Sequence, residues 1–195
     1  MTTMKVGVLA LQGAFREHME ALERCSVQGV EVRGKEELDD VDALIIPGGE
    51  STTISKLIDK NGLRDLLVAR IEAGMPVWGT CAGAILLARE IRDEKKVTPL
   101  GVMEVEIERN SYGRQLESFE GELEVCEDFR EALGEKVPGI FIRAPRIIEI
   151  GDGVKEVAKH KEAVVMAKCG KVLITTFHPE LTEDLKVLKF FLSGF

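Results

Sequence analysis

Pro76-Val77-Trp78-Gly79-Thr80-Cys81-Ala82-Gly83-Ala84-Ile85 decides the reading of this chain. A short apolar run ends in a cysteine with a glycine two residues away on each side, and an apolar helical segment follows at once. Small neighbours of this kind predict a tight strand-to-helix turn that lifts one thiol clear of a sheet, a nucleophile elbow with sulfur in place of oxygen. The turn also points the sulfur at a helix N-terminus, where unpaired N–H groups favour a thiolate.

Working outward, short apolar strands alternate with helices. Met4 to Leu11 reads as a buried first strand, closed by Gln12-Gly13, and a helix follows with Phe15, Met19 and Leu22 on one face. Val27 to Val32 and Asp42 to Ile46 are two further strands, the latter stopped by Pro47-Gly48-Gly49. Ser51-Thr52-Thr53 offers N-cap oxygens to the next helix, and Leu63 to Ile71 recurs at helical spacing. This alternation predicts an α/β fold, a mostly parallel sheet with helices on both faces, with Cys81 at the C-terminal edge.

Beyond Lys96 the period becomes that of strands. Val102 to Glu108 alternates strictly, Phe119 to Val125 less cleanly, and Gly139 to Pro145 and Ile147 to Ile150 follow. Ala163 to Ala167 and Lys171 to Thr176 flank Cys169-Gly170, the best hairpin signal in the chain. A last helix is expected over Thr182 to Leu192. The second half therefore reads as an antiparallel or mixed extension of one sheet, and residues 1–195 as a single domain.

Composition narrows the partners. The 195 residues are 45% hydrophobic and 31% charged, with a formal net charge of -8, which argues against a nucleic-acid binder. Cys25, Cys81, Cys126 and Cys169 form no CxxC pair, and His18, His160 and His178 show no short metal-ligand spacing. No metal is expected. Without a signal segment or membrane-length apolar run, a cytoplasmic location is the expectation.

The base to match Cys81 is His178, in Thr176-Phe177-His178-Pro179-Glu180, which follows an apolar strand and so also sits at a strand end. Glu180, two residues on, can curl back to accept the imidazole N–H and orient it. Gly48 and Gly49 let backbone N–H groups converge after a buried strand; with the N–H of Ala82 they suit a tetrahedral oxyanion. His18 reads as a surface or interface residue and His160 as exposed. The chemistry implied is acyl transfer through a thioester, with the acyl substrate unnamed by spacing. A cysteine hydrolase acting on peptides and a noncatalytic binding subunit stand as other readings.

Gly79-Thr80-Cys81-Ala82-Gly83, Pro47-Gly48-Gly49-Glu50 and His178-Pro179-Glu180 together resemble the class I, or triad, glutamine amidotransferases. Val8 to Gly13, Pro47 to Thr53, Glu108-Arg109-Asn110-Ser111-Tyr112-Gly113-Arg114-Gln115 and Phe141-Ile142-Arg143-Ala144-Pro145 are similar, in order, to the glutaminase subunits of pyridoxal 5'-phosphate synthases. The resemblance implies a flavodoxin-like amidotransferase fold with antiparallel additions. It implies hydrolysis of L-glutamine to glutamate and ammonia without a cofactor, the ammonia passing to a barrel-shaped synthase (lyase) subunit that makes vitamin B6. It also implies roles. Cys81 is the nucleophile, His178 the base and then acid, and Glu180 the orienter; Gly49 and Ala82 supply oxyanion N–H groups. Gly48, Gly49, Glu50, Ser51, Arg109, Ile142 and Arg143 bind substrate. Within that set Glu50 faces the amino group, Arg109 the carboxylate, and Arg143 the mouth. Gln12 lies near the partner. Arg109 and Arg114 are not separated by sequence.

Overall fold

The computed structural model describes residues 4–109 and 118–194; Arg114 and the rest of segment 110–117 lie outside the described residues. The apolar runs form strands wherever both of their faces can be covered. β1 (Lys5–Leu9), β3 (Ala43–Ile46), β4 (Val77–Thr80) and β12 (Val172–Thr175) are buried almost throughout. They explain why the sequence shows near-continuous hydrophobicity there instead of alternation.

The main sheet has nine strands in the order β2-β1-β3-β4-β12-β11-β10-β7-β8, where β2 is Gln28–Val32, β7 is Ser118–Val125, β8 is Lys136–Ile142, β10 is Lys155–His160 and β11 is Ala163–Cys169. From β2 to β12 all pairings are parallel; from β12 to β8 all are antiparallel. The β11–β12 hairpin turns at Gly170, whose φ of 54° lies in the left-handed region.

Alternate residues feed two cores. Val6, Val8, Ile45, Trp78 and Leu173 pack with α1 (Phe15–Arg24) and α7 (Lys186–Leu192). Leu44, Ile46, Val77 and Ile174 pack on the other face with α3 (Ser51–Lys60), α4 (Arg64–Glu72) and α5 (Ala82–Leu87).

Several expectations need correction. A short α2 (Lys35–Asp39) lies between β2 and β3. The second half does not extend one sheet only: β5 (Ala88–Ile91), β6 (Met103–Glu108) and β9 (Arg146–Ile150) form a separate three-stranded sheet. It exists because Met103, Val105, Ile107 and Ile147 bury their side chains against the helical layer, so this sheet covers the α5 side of the molecule. The final helix begins at Lys186, not Thr182. Residues 179–181 form a single 3-10 turn, and the Thr182 hydroxyl donates to the Pro179 carbonyl at 2.9 Å, which closes that turn. A four-residue α6 (Arg130–Leu133) precedes β8.

Candidate active site

Three adjacent parallel strands, β3, β4 and β12, end at one rim, in register through Ile46 opposite Gly79 and Thr80 opposite Thr175. Their following turns carry Gly48, Cys81 and His178. Cys81 has φ 48° and ψ -101°, a strained conformation for a residue with a side chain. It persists because both ends are tied: its N–H donates to the Thr175 carbonyl at 2.8 Å, and its carbonyl accepts the Ile85 N–H at 3.2 Å.

The two flanking glycines are steric requirements. A Cβ on Gly83 would lie 2.0 Å from the Ile46 carbonyl oxygen, and one on Gly79 would lie 2.5 Å from the Gly83 carbonyl carbon. Helix α5 thus crosses the sheet in direct backbone contact. It spans only six residues, so the field at its N-terminus is that of a short helix.

The imidazole facing Cys81 belongs to His178, 7% exposed, whose backbone N–H donates to the Ile140 carbonyl at 2.8 Å. Its Nδ1 is 2.7 Å from Glu180 Oε1, which leaves Nε2 for Cys81. Burial pulls the His178 pKa down, but hydrogen bonds with Cys81 and Glu180 more than reverse this and push it up to about 10. Burial raises the Glu180 pKa; the charges and hydrogen bond of His18 and His178 outweigh it and hold the carboxyl below its ordinary value. The ring therefore rests as imidazolium at neutral pH.

This has a measurable sign. A group whose folded pKa exceeds its unfolded one binds the extra proton in the folded state, so stability falls as pH rises. The His178 contribution is complete below pH 6.5 and is lost as pH climbs through about 10. Urea midpoints of the wild-type chain should decline across that window, and those of His178→Asn should decline less. Parallel curves would contradict the raised value.

The glycine turn packs tightly on this pair. A Cβ on Gly48 would lie 2.4 Å from His178 Cε1 and 3.4 Å from the Cys81 Cβ. The Gly48 carbonyl accepts the Ala14 N–H at 2.9 Å, and Gln12 Oε1 accepts the Glu50 N–H at 2.8 Å, so the loop after β1 braces the turn. Ser51-Thr52-Thr53 does not cap α3. Glu50 does, its carboxylate accepting from the Thr52 N–H at 3.0 Å and the Thr53 N–H at 2.7 Å, because a longer acidic side chain reaches the first-turn donors from the preceding residue. Slight burial opposes ionisation, but these hydrogen bonds from Thr53 and Thr52 hold the carboxyl at about 2.

A cleft of about 560 Å³ opens over the sulfur. Gly48, Gly49, Cys81, Ala82 and His178 form its floor, with Gln12, Glu50, Ser51, Arg109, Ile142 and Arg143 around them. Of the expected site residues that are among the described ones, only Glu180 is absent from the walls; it stands behind His178, its side chain fully enclosed. Arg109 is paired with Glu94 and lies 3.6 Å from Glu50 Oε1, so one anion and one cation face the cleft together. Ile142, 37% exposed, and Arg143, with φ 43°, mark the mouth.

Two histidines differ from expectation. His18 is not at the surface: it is 1% exposed, with Nε2 3.1 Å from Thr80 Oγ1 and its ring 5.3 Å from that of Trp78. Phe15, His18, Met19 and Leu22 share one helical stripe, which is the signal that places His18 inward. His160 is half-buried, lying against the rings of Phe119 and Phe141. Thr80 and Glu94 gave no sequence signal, since each acts through a contact distant in the chain.

A family description as SNO glutamine amidotransferase matches residues 8–195. This chain belongs to that family. A relative from Pelotomaculum thermopropionicum, pyridoxal 5'-phosphate synthase subunit PdxT, is 52% identical over 191 residues, covering 97% of this chain and 94% of that protein. A crystal structure of a glutamine amidotransferase superposes with a TM-score of 0.90 at 50% identity and covers 97% of both chains. PurLQS from Thermotoga maritima, at 20% identity and TM-score 0.72 over 99% of each chain, shares the fold. The family assignment accounts for a mixed sheet with the cysteine elbow at its centre. No helix among the described residues is long and apolar enough to cross a membrane.

Proposed function

We propose that residues 1–195 act as one glutaminase domain that hydrolyses L-glutamine to L-glutamate and ammonia through a Cys81 thioester. The observation that carries this is the thiol, imidazole and carboxylate joined at adjacent strand ends beneath a cleft walled by Glu50 and Arg109. A free amino acid is a zwitterion, so an anion for its ammonium and a guanidinium for its carboxylate fit it, with the side-chain amide laid over the sulfur.

The Cys81 thiolate attacks the amide carbon and the carbonyl π electrons move to oxygen. The resulting oxyanion takes hydrogen bonds from the Gly49 and Ala82 N–H groups. His178 gives its Nε2 proton to the departing nitrogen, the C–N bond breaks, and ammonia leaves a glutamyl thioester. Water then attacks; His178 takes its proton, the C–S bond breaks, and glutamate and the thiolate–imidazolium pair are released. Glutamine and water are consumed; glutamate and ammonia are formed. Glu180 holds the ring in the tautomer that both steps need.

The Pelotomaculum thermopropionicum relative is a subunit of pyridoxal 5'-phosphate synthase, so the ammonia is assigned to a partner lyase subunit. Gln12, on the brace beside the cleft, is the residue assigned to that contact. The test is pyridoxal 5'-phosphate formation by this chain mixed with the lyase subunit, with glutamine or ammonium as nitrogen source. Both sources should support product. Product with ammonium and none with glutamine would refute the glutaminase role.

A further inference from the structure

The triad carboxylate is satisfied on one side only. Glu180 Oε1 pairs with His178, but Oε2 is enclosed and accepts no hydrogen bond among the described residues. A desolvated carboxylate oxygen needs a donor directed at it. His18 Nε2 lies 3.7 Å from that oxygen and 3.1 Å from Thr80 Oγ1. Thr80 Oγ1 in turn accepts the Gly48 N–H at 2.9 Å. Buried hydrogen bonds thus run from the glycine turn through the Thr80 hydroxyl to the His18 ring, which ends 3.7 Å short of Glu180 Oε2.

The direction of one proton follows from this arrangement. If Thr80 donated to His18 Nε2, the nitrogen lone pair would face an anionic oxygen. With the hydrogen on Nε2, the same atom serves both Thr80 and Glu180. Burial lowers the His18 pKa most; Glu180, across the rim, raises it, His178 lowers it, and Glu17 on the same helix raises it. The net direction is down, since burial outweighs the attraction of Glu180 and Glu17. Trp78 meets it edge-on at 82° and fixes its plane.

We propose that His18 is a positioning residue of the active site, its Nε2–H donated to Thr80 Oγ1 and its dipole facing Glu180 Oε2 at 3.7 Å, so that one buried imidazole sets the triad carboxylate and the glycine turn together. It touches neither substrate nor sulfur. It acts by keeping Glu180 ionised and in place beneath His178, and by holding the Gly48 N–H through Thr80. This deepens the glutaminase reading and rests on it only where turnover is measured.

The experiment uses the full chain labelled with 15N-histidine, whose three imidazoles are assigned with His18→Gln and His160→Gln. His18 should show the Nε2–H tautomer and titrate below an ordinary imidazole. In His18→Leu the titration midpoint of His178 should fall from about 10 by roughly one pH unit, as the carboxylate beneath it loses the polar group that faces it. His18→Gln, which keeps a donor at similar reach, should restore most of it.

With the lyase subunit and glutamine, His18→Leu and Thr80→Val should each lower kcat about tenfold, and the double variant should be little worse than either single one. An Nδ1–H tautomer in the wild-type chain, or an unmoved His178 midpoint in folded His18→Leu, would overturn the proposal. If His18→Leu does not fold, the wild-type tautomer and the near-isosteric Thr80→Val decide it, and wild-type kcat in Thr80→Val counts against it. Absence of glutamine turnover in the wild-type mixture would instead indict the glutaminase reading.

Discussion

Cys81→Ala should abolish glutamine hydrolysis, by on the order of 10⁴-fold or more, while the chain keeps its fold. No other thiol can substitute: Cys25, Cys126 and Cys169 lie outside the cleft, and none belongs to a turn in contact with His178. The stability of the same position gives a second readout. At φ 48° and ψ -101° a Cβ costs about 1–3 kcal/mol, which glycine escapes, while glycine pays about 1 kcal/mol in unfolded-chain entropy. Cys81→Gly should therefore melt at or above the temperature of Cys81→Ala, although both are inactive. Measured turnover by intact-mass detection of glutamate formation, together with two melting curves, tests both halves. Residual activity near wild type in Cys81→Ala would remove the thioester from the mechanism, and a Gly variant much less stable than the Ala variant would remove the strain.

Gly48→Ala should also damage activity severely, although it adds one methyl group. Its Cβ would stand 2.4 Å from His178 Cε1 and 3.1 Å from Nδ1, inside van der Waals contact, so something must move. Neither side yields freely. The ring is held by Glu180 at 2.7 Å and its backbone by Ile140, while Gly48 is held through its N–H by Thr80 and through its carbonyl by Ala14. Whichever group shifts, the imidazole and the oxyanion turn no longer face one amide carbon together. Displacement of about 1 Å costs on the order of 100-fold in rate, and overpacking about 1–3 kcal/mol in stability. We expect kcat to fall by at least that factor in a chain that still melts cooperatively. Wild-type kcat in Gly48→Ala would show that the turn is looser than its hydrogen bonds imply.

How much was legible in the sequence depended on whether a residue's role is local. Cys81 between Gly79 and Gly83 could be read because the elbow is built from its own neighbours, and His178-Pro179-Glu180 because orienter and base are two residues apart. β1, β3 and β4 showed themselves because burial on both faces leaves unbroken apolar runs. Lys155 to His160 carries polar residues along a strand whose partners, β11 and β7, lie elsewhere, so pattern alone did not reveal it. Ala88 to Ile91 follows α5 without a break and leaves the helical path only because it pairs with β6. The capping of α3 by Glu50 was missed because three hydroxyl residues follow it. The position of His18 was written in its helical stripe, yet its partners, Thr80 and Glu180, are brought to it only by the folded sheet.

The backbone contact between α5 and the Ile46 carbonyl carries a consequence for redesign. Since even one added carbon at Gly83 or Gly79 collides with main chain, the elbow beneath the cleft admits no new side chains, and altered amide preference cannot be engineered there. The rim is different: Glu50, Arg109 and the consecutive Ile142 and Arg143 come from three segments around the open side of the cleft. A library meant to admit amides other than glutamine should vary those four positions and leave the elbow as it stands.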